Sequence, residues 1–154
     1  MLIRISQSTV YQQCPRLVTH LMGLAELPVS SSLSPSLLHL VKLHASQLNR
    51  CGFCQKMHAD EARHDGESQG RLDVLPAWRE LNCFTTRERA ALAWTEALTL
   101  ISNNCVSDAV YQAAVDEFGE AELIELTTVI LQINSWNRLS VSLRFQPDVN
   151  VGEA

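Results

Sequence analysis

The stretch of sequence that decides the fold covers residues 34–58 and reads SPSLLHLVKLHASQLNRCGFCQKMH. Its first half predicts a helix that begins at Pro35, because proline suits the first helical position and Ser34 can cap the free amides there. The apolar residues that follow form one broad face: Leu37, Leu38, Leu40, Val41, Leu43 and Leu48. This helix is predicted to end near Asn49.

The second half of the stretch predicts another helix. It should begin at or just before Cys51, run to about Asp65 and stop at Gly66, since glycine tolerates the left-handed conformation that ends many helices. With an advance of about 100° per residue, Cys51, Cys54 and His58 fall within an arc of roughly 60° on this helix. The spacing therefore predicts two sulfurs and an imidazole on one helical face.

Helical periodicity also dominates the rest of the chain, in which no convincing strand alternation occurs. A helix is predicted from about Thr9 to Glu26, with Pro15 either bending it or marking its true start. Residues 66–84 are predicted to form a connection with one short turn, built on residues 75–78, LPAW. The remaining helices are predicted at 85–102, which a Thr85–Glu88 capping box opens, at 107–119 and at 120–143.

The predicted fold is an all-α bundle of about six helices in a single domain that spans residues 1–154, with its core at about 10–145. The last predicted helix is apolar almost all round, whereas an ordinary surface helix would show a polar half. Such a helix lies in the middle of a bundle or between subunits. We expect both, and hence a homo-oligomer.

Composition narrows the classes of function. The formal net charge of −5 disfavours nucleic acids and anionic lipids as main partners, because both attract basic proteins. No run approaches the about 18 apolar residues of a membrane span, and the N-terminal residues lack the apolar segment of a signal peptide. We therefore expect a cytoplasmic protein with no nucleic-acid or membrane partner, in which stable structural disulfides are uncommon.

Five cysteines cannot all pair within one chain, and only two of them lie close together in the sequence. Cys51 and Cys54 are three residues apart, while the others are scattered at Cys14, Cys83 and Cys105. A thiolate attacks peroxides and disulfides far better than a thiol does, and a second cysteine nearby captures the sulfenic acid before over-oxidation. The close pair therefore indicates reversible two-electron thiol chemistry.

The position of the pair on its helix favours the same chemistry. The unpaired amides of a helix N-terminus lower the pKa of a nearby thiol, and an adjacent histidine such as His58 does the same when it is protonated. Glu61 follows His58 by three residues, lies near the same face, and is expected to orient the imidazole.

Two other interpretations of these residues stay open. In the first, Cys51 and Cys54 are buried and serve only as small apolar residues. In the second they bind a metal ion together with His58, and either His39 or His44 supplies a fourth ligand.

Three segments of the chain resemble one known family. Residues 40–58, LVKLHASQLNRCGFCQKMH, are similar to the core of the alkylhydroperoxidase D-like branch of the carboxymuconolactone decarboxylase superfamily. The resemblance continues in residues 91–98, ALAWTEAL, and residues 133–139, INSWNRL. It implies an all-α fold that assembles as trimers or hexamers.

The resemblance also implies an activity and a set of site residues. Members of this branch reduce hydroperoxides with a cysteine pair, and an external dithiol, such as a lipoyl protein or a thioredoxin-like protein, recharges that pair without an organic cofactor or metal. By position, Cys54 matches the cysteine that becomes the sulfenic acid, and Cys51 matches its resolving partner. His58 matches the histidine of the proton relay.

Two positions depart from the pattern of the family. His39 stands where members commonly carry the glutamate of the proton relay, and His44 stands where they carry an arginine. An imidazole with an ordinary pKa of about 6.5 can still accept a proton or, as a cation, stabilise the thiolate; the alternative is that turnover has been lost. His39 is therefore a candidate catalytic residue, whereas His44 falls among apolar residues and is predicted to be a buried, hydrogen-bonded histidine.

Other charged and titratable residues are given ordinary roles. Glu96 could replace the missing glutamate, but its position near Arg89 favours a solvated ion pair, and His20 and His64 are predicted to lie on the surface. The function predicted is that of a thiol-dependent peroxidase, an antioxidant oxidoreductase. The alternatives are a metal-binding or structural helical module, and a redox sensor or disulfide-exchange protein without significant peroxidase turnover.

Overall fold

The computed structural model describes residues 2, 4–103 and 105–149. Over these residues it consists of helices, turns and loops without a β-strand, which confirms the predicted all-α class. In chain order the α-helices are α1 (Gln7–Gln13), α2 (Pro15–Gly23), α3 (Pro35–Leu48), α4 (Gly52–His64), α5 (Gln69–Val74), α6 (Thr86–Thr99) and α7 (Asp108–Leu143). A 3₁₀-helix, Leu75–Glu80, follows α5 directly. None of the helices in the described part is long and apolar enough to cross a membrane.

Helix α3 occupies the centre of the bundle, where it packs against α4, α6 and α7. It begins as predicted, because Pro35 takes the first position and the Ser34 side chain accepts a hydrogen bond from the Leu37 amide. Half of its residues are buried: Leu37, Leu40, Val41, Leu43, His44, Ala45 and Ser46. The helix is therefore surrounded on most sides by protein, which explains its broad apolar face.

Two apolar clusters fill the space on either side of α3. The first joins α3 to α6 and α7 through residues such as Val41, Trp94 and Ile130. The second joins α3 to α4, α5 and the 3₁₀-helix through residues such as Leu40 and Trp78. Burial of these side chains supplies the main driving force for the fold and fixes α4 against α3.

Helix α7 runs across the bundle with a break at Gly119. This glycine has φ +65° and ψ 174°, a backbone conformation that residues with a side chain rarely adopt. The prediction of two helical segments that meet at this glycine is therefore confirmed. Beyond the break, Ile124, Leu131 and Val141 are exposed, so α7 is more apolar than packing within one chain requires.

Two predicted elements need correction. The helix expected over residues 9–26 is two helices, α1 and α2, and Pro15 starts α2, which is one of the two roles predicted for it. Within residues 66–84 the short turn predicted at 75–78 is the 3₁₀-helix, whereas α5 was not expected; the buried side chains of Leu72, Leu75 and Trp78 hold the two elements. Each of these elements has six residues, too few for a helical period to be recognised.

Candidate active site

The chain turns sharply from α3 into α4. Arg50 has a left-handed backbone, with φ +55°, and its amide donates a hydrogen bond to the carbonyl of Gln47 at 3.0 Å. The amide of Cys51 donates to the carbonyl of Ser46 at 2.9 Å. These two bonds are those of a Schellman motif, which ends a helix and satisfies its last carbonyls. The motif brings Cys51 directly to the start of α4.

Cys51 is the N-cap of α4, and its Sγ accepts a hydrogen bond from the amide of Cys54 at 3.3 Å. The Cα atoms of the two cysteines are 5.4 Å apart and their sulfurs are at disulfide-bonding distance. Both residues are buried. The free amides of the first helical turn favour negative charge on these sulfurs. The pair therefore fits a redox role.

Hydrogen-bonded side-chain amides on α7 and at the end of α3 hold this turn in place. Asn137 on α7 donates a hydrogen bond to Ser46 Oγ at 3.1 Å, and Asn49 donates to the side-chain oxygens of Asn137 at 2.9 Å and Asn134 at 3.0 Å. Polar groups that are buried and mutually satisfied fix a single arrangement. Helix α7 thus determines where the cysteine pair sits relative to the core.

His58 lies one turn of α4 beyond Cys54 and is buried. Its Nδ1 is 2.8 Å from Oε2 of Glu61, and this hydrogen bond lowers the pKa of Glu61, which burial alone would raise. An ionised carboxylate can only accept, so Nδ1 carries the proton and Nε2 keeps its lone pair. Nε2 is buried without a hydrogen-bond partner among the described residues. The expectation that Glu61 orients the imidazole is confirmed.

A cavity of about 220 Å³ opens onto Cys54 and His58. Six of its thirteen lining residues are aromatic or apolar: Tyr11, Met22, Phe53, Met57, Trp136 and Phe145. Cys51 does not belong to the lining, so Cys54 is the sulfur that a ligand in this cavity would meet. A larger hollow of about 620 Å³ is lined by residues 2, 4–8 and 143–146, and neither Cys51 nor Cys54 is among its lining residues.

His39 lies outside the cavity. Its Nε2 is 2.7 Å from Oδ2 of Asp65, and it borders a shallow depression that it shares with Glu61 and His64. The structure therefore brings Cys51, Cys54 and His58 together and leaves His39 beside Asp65. Its place in a proton relay stays a prediction, and such a relay would have to run through Glu61, which borders both the depression and the cavity.

His44 is buried and hydrogen-bonded, as predicted. Its Nε2 is 2.9 Å from Oε1 of Glu96, which also accepts hydrogen bonds from Trp78 Nε1 at 2.8 Å and from Arg79. Burial alone would raise the pKa of Glu96, yet these hydrogen bonds lower it to about 2. The predicted solvated pair with Arg89 is wrong, because the 3₁₀-helix presents Trp78 and Arg79 to this carboxylate.

Three cavity residues were missed at the level of sequence: Lys42, Gln132 and Ser140. Burial lowers the pKa of Lys42, while the negative charge of Glu61 acts to raise it. The sequence could have indicated Lys42, because no other Lys, Arg, Asp or Glu occurs in α3 and Lys42 lies among its apolar residues. Gln132 and Ser140 gave no signal, because only the packing of α7 against α3 and α4 turns them toward the cysteines.

The metal-ligand interpretation finds little support in the geometry. No group of three or more His, Cys, Asp and Glu side chains is placed to hold a metal ion anywhere in the described part of the chain. His39 and His44, the proposed fourth ligands, contact Asp65 and Glu96 instead. His20 and His64 are exposed, as predicted.

Comparison with known proteins identifies relatives over most of the chain. The model of the carboxymuconolactone decarboxylase family matches residues 13–97, which include α3, α4 and the cysteine pair. The uncharacterized protein YdfG of Bacillus subtilis (strain 168) is 35% identical over 133 residues, which cover 86% of this chain and 90% of that protein.

Solved structures share the fold. A protein of unknown function from Agrobacterium tumefaciens, ATU0492, provisionally described as the antioxidant defence protein AhpD, has a TM-score of 0.87 at 35% identity. The match covers 97% of this chain and all of that one. The debrominase Bmp8 has a TM-score of 0.78 at 16% identity, covering 92% of this chain and 75% of that one, a likeness that shows the fold alone.

Proposed function

The chain belongs to the carboxymuconolactone decarboxylase family, in its AhpD-like branch, and from this premise we propose that it is a thiol-dependent peroxidase. One observation carries the proposal. The Cys51–Cys54 pair occupies the first turn of α4, Cys54 and His58 line one cavity, and Nε2 of His58 has no hydrogen-bond partner among the described residues. A reactive sulfur, a resolving sulfur and a base are thus held together on one helix.

The first step oxidises Cys54. His58 Nε2 takes the proton of the reduced Cys54 thiol, and the thiolate attacks the terminal oxygen of a hydroperoxide, ROOH. The sulfur–oxygen bond forms as the O–O bond breaks, and the leaving alkoxide takes the proton back from His58. The products are an alcohol and a sulfenic acid on Cys54.

The second step closes the disulfide. The sulfur of Cys51 attacks the sulfenic sulfur of Cys54, the S–S bond forms, and one water molecule leaves. The separation of 5.4 Å between the Cα atoms is compatible with this bond without movement of the backbone. An external dithiol, a lipoyl or thioredoxin-like protein, then returns both cysteines to thiols and is itself oxidised. A cytoplasmic location would supply such dithiols.

His39 is proposed as a positioning residue rather than a direct proton carrier. Its charge, together with that of His58 and Lys42, contributes to the lowered pKa of Glu61. An ionised Glu61 keeps the His58 proton on Nδ1 and leaves Nε2 basic toward Cys54. The glutamate of related proteins is thereby replaced by a carboxylate on α4 itself.

The test is peroxide consumption by the purified protein with dihydrolipoamide or thioredoxin as reductant. Wild type should turn over, Cys54→Ser should be inactive, and Cys51→Ser should stall after one oxidation because no resolving sulfur remains. Cys83→Ser is the matched control, since Cys83 is exposed and distant in sequence from the pair.

Three results would contradict the proposal. Full activity of Cys54→Ser would show that Cys54 is not the nucleophile. Disulfide exchange by wild type without peroxide consumption would show that the protein is a disulfide-exchange protein instead of a peroxidase. Stoichiometric zinc that protects both thiols from alkylation would point to the metal-binding alternative. A His39→Glu variant, measured in parallel, shows whether the carboxylate of relatives increases turnover.

A further inference from the structure

Lys42 places a positive charge in the wall of the cavity that contains Cys54 and His58. Its side chain is partly buried in the middle of α3. Its ammonium makes no hydrogen bond and no ion pair with any residue that the structure describes. Partial burial removes some of the hydration of this ammonium, and no acceptor among the described residues replaces the lost contacts with water.

Glu61 is not a direct hydrogen-bond partner of Lys42. Its carboxylate is engaged by His58 Nδ1 at 2.8 Å, and it acts on Lys42 only through space. The lowered pKa of Lys42 agrees with this incomplete compensation. The carboxylate that lines the cavity together with Lys42 is therefore already hydrogen-bonded to His58.

Other polar groups in the same cavity are also without partners. Gln132 and Ser140 are buried, and neither side chain hydrogen-bonds to a residue in the described part of the chain. His58 Nε2 is buried and equally free. Polar side chains that line one cavity without partners in the protein are free to bind a polar ligand there.

The remaining wall sets the size and the character of that ligand. Trp136 and Phe145 contribute aromatic surface, and Phe53 packs edge-on against Phe145 with ring centroids 5.9 Å apart. A cavity of about 150 Å³ lined by apolar residues accommodates benzene. The present volume of about 220 Å³ thus suits one ring or a short chain with a polar group attached.

We propose that this cavity binds a small organic carboxylate, whose anionic group pairs with Lys42 and Gln132 while its apolar body lies against Trp136 and Phe145. The physiological hydroperoxide is accordingly an organic one that carries a carboxylate. The assignment of this substrate rests on the proposed peroxidase function, whereas carboxylate binding does not. The carboxylate takes no part in the redox step, which still yields an alcohol, water and the Cys51–Cys54 disulfide.

Binding to the oxidised protein tests carboxylate recognition without turnover. The probes are 3-phenylpropanoate and its neutral analogue 3-phenylpropan-1-ol, measured by isothermal titration calorimetry. A charge-assisted contact with Lys42 should make the carboxylate bind about tenfold more tightly than the alcohol, or more. Lys42→Met should abolish this preference, and Lys42→Arg, which keeps the charge, should retain part of it.

Lys56→Met is the matched control, because Lys56 is the other lysine of the chain and pairs with Asp60 outside the cavity. It removes the same charge and should leave the preference unchanged. Equal binding of the two probes by wild type would overturn the proposal. A preference that survives in Lys42→Met would also overturn it, because Lys42 would then not recognise the carboxylate. A preference that disappears in Lys56→Met would do the same, because it would trace the effect to the net charge of the protein.

Turnover of two matched hydroperoxides tests the substrate class. Cumene hydroperoxide and its para-carboxylated derivative have the same O–O bond and differ in the carboxylate. We expect the ratio of their kcat/KM values to favour the carboxylated compound by about tenfold in wild type and to fall toward one in Lys42→Met. A ratio near one in wild type overturns the assigned substrate class. Consumption of neither compound overturns the peroxidase function, while the binding measurements still decide carboxylate recognition.

Discussion

Glu61 accepts a hydrogen bond from His58 Nδ1 at 2.8 Å, and this contact leaves Nε2 as the imidazole nitrogen without a partner among the described residues. Because the two residues are three positions apart on α4, one helix carries both the base and the group that orients it. The relay carboxylate that the family resemblance implies lies on the preceding helix, at the position of His39. In this chain the carboxylate next to His58 comes from α4.

Replacement of Glu61 by glutamine should reduce peroxide reduction by about tenfold or more, because His58 loses the charge that stabilises its protonated form. The rate of alkylation of the reduced Cys54 by iodoacetamide should fall as well. Asp60→Asn is the control, since Asp60 is adjacent in sequence but pairs with Lys56 and Arg63. Rates that fall equally in both variants would mean that any lost negative charge on α4 has this effect.

Replacement of Arg50 by glycine should stabilise the oxidised protein. A left-handed conformation costs a residue with a side chain roughly 1–2 kcal/mol, part of which glycine loses again through its greater freedom in the unfolded chain. We expect a net gain of about 0.5–1 kcal/mol in urea unfolding. Arg50→Ala keeps the strained backbone and should show no gain. An equal gain in both variants would trace the effect to the arginine side chain instead.

The acid stability of the protein should depend on Glu96. Its pKa is lowered from 4.5 to about 2 in the folded state, so its stabilising effect is complete above pH 4.5 and is lost as the pH falls toward 2. That shift corresponds to at most about 3 kcal/mol. The difference in unfolding free energy between wild type and Glu96→Gln should therefore shrink between pH 5 and pH 2.5, measured by urea titration at several pH values.

A suitable control for that series is Glu26→Gln, because Glu26 is exposed and lies outside the hydrogen-bonded network around His44. Its free-energy difference from wild type should stay small at every pH. A Glu96→Gln difference that stays constant from neutral to acid pH would show that the carboxylate contributes through its shape rather than its charge.

The exposed apolar residues of α7 should form a contact between subunits. We expect wild type to sediment as a trimer or hexamer, since Ile124 and Leu131 otherwise leave apolar area in water. Ile124→Glu and Leu131→Glu should shift the protein toward the monomer in analytical ultracentrifugation. Val29→Glu adds the same charge at an exposed loop position and should leave assembly unchanged. A monomeric wild type would refute this expectation.

The fold was predictable where chemical signals mark the ends of helices. Ser34 with Pro35, Gly66, and Thr85 with Glu88 each fix a terminus through a local hydrogen bond or a backbone preference, and the structure has helix ends at those places. Helix α5 was missed and the 3₁₀-helix was predicted only as a short turn, because tertiary burial holds such short segments.

The site was predictable to the extent that it lies on one helix. Cys51, Cys54, His58 and Glu61 are related by helical spacing alone, so their proximity follows from the sequence. Lys42 and its neighbours in the cavity come from other helices. Their convergence depends on how α3 and α7 cross, which no local pattern encodes. The prediction that Glu96 pairs with Arg89 was wrong for the same reason.

The cavity is walled in part by the most loosely held segment of the fold. Helices α1 and α2 contain no buried residue, yet they supply Gln7, Tyr11 and Met22 to its lining. A segment with so few buried contacts opens locally at little free-energy cost. Local opening of these two short helices thus controls access to Cys54. Their backbone amides should exchange with deuterated solvent far sooner than those of α3. A bulky hydroperoxide could enter and its alcohol leave while the redox helix stays fully folded.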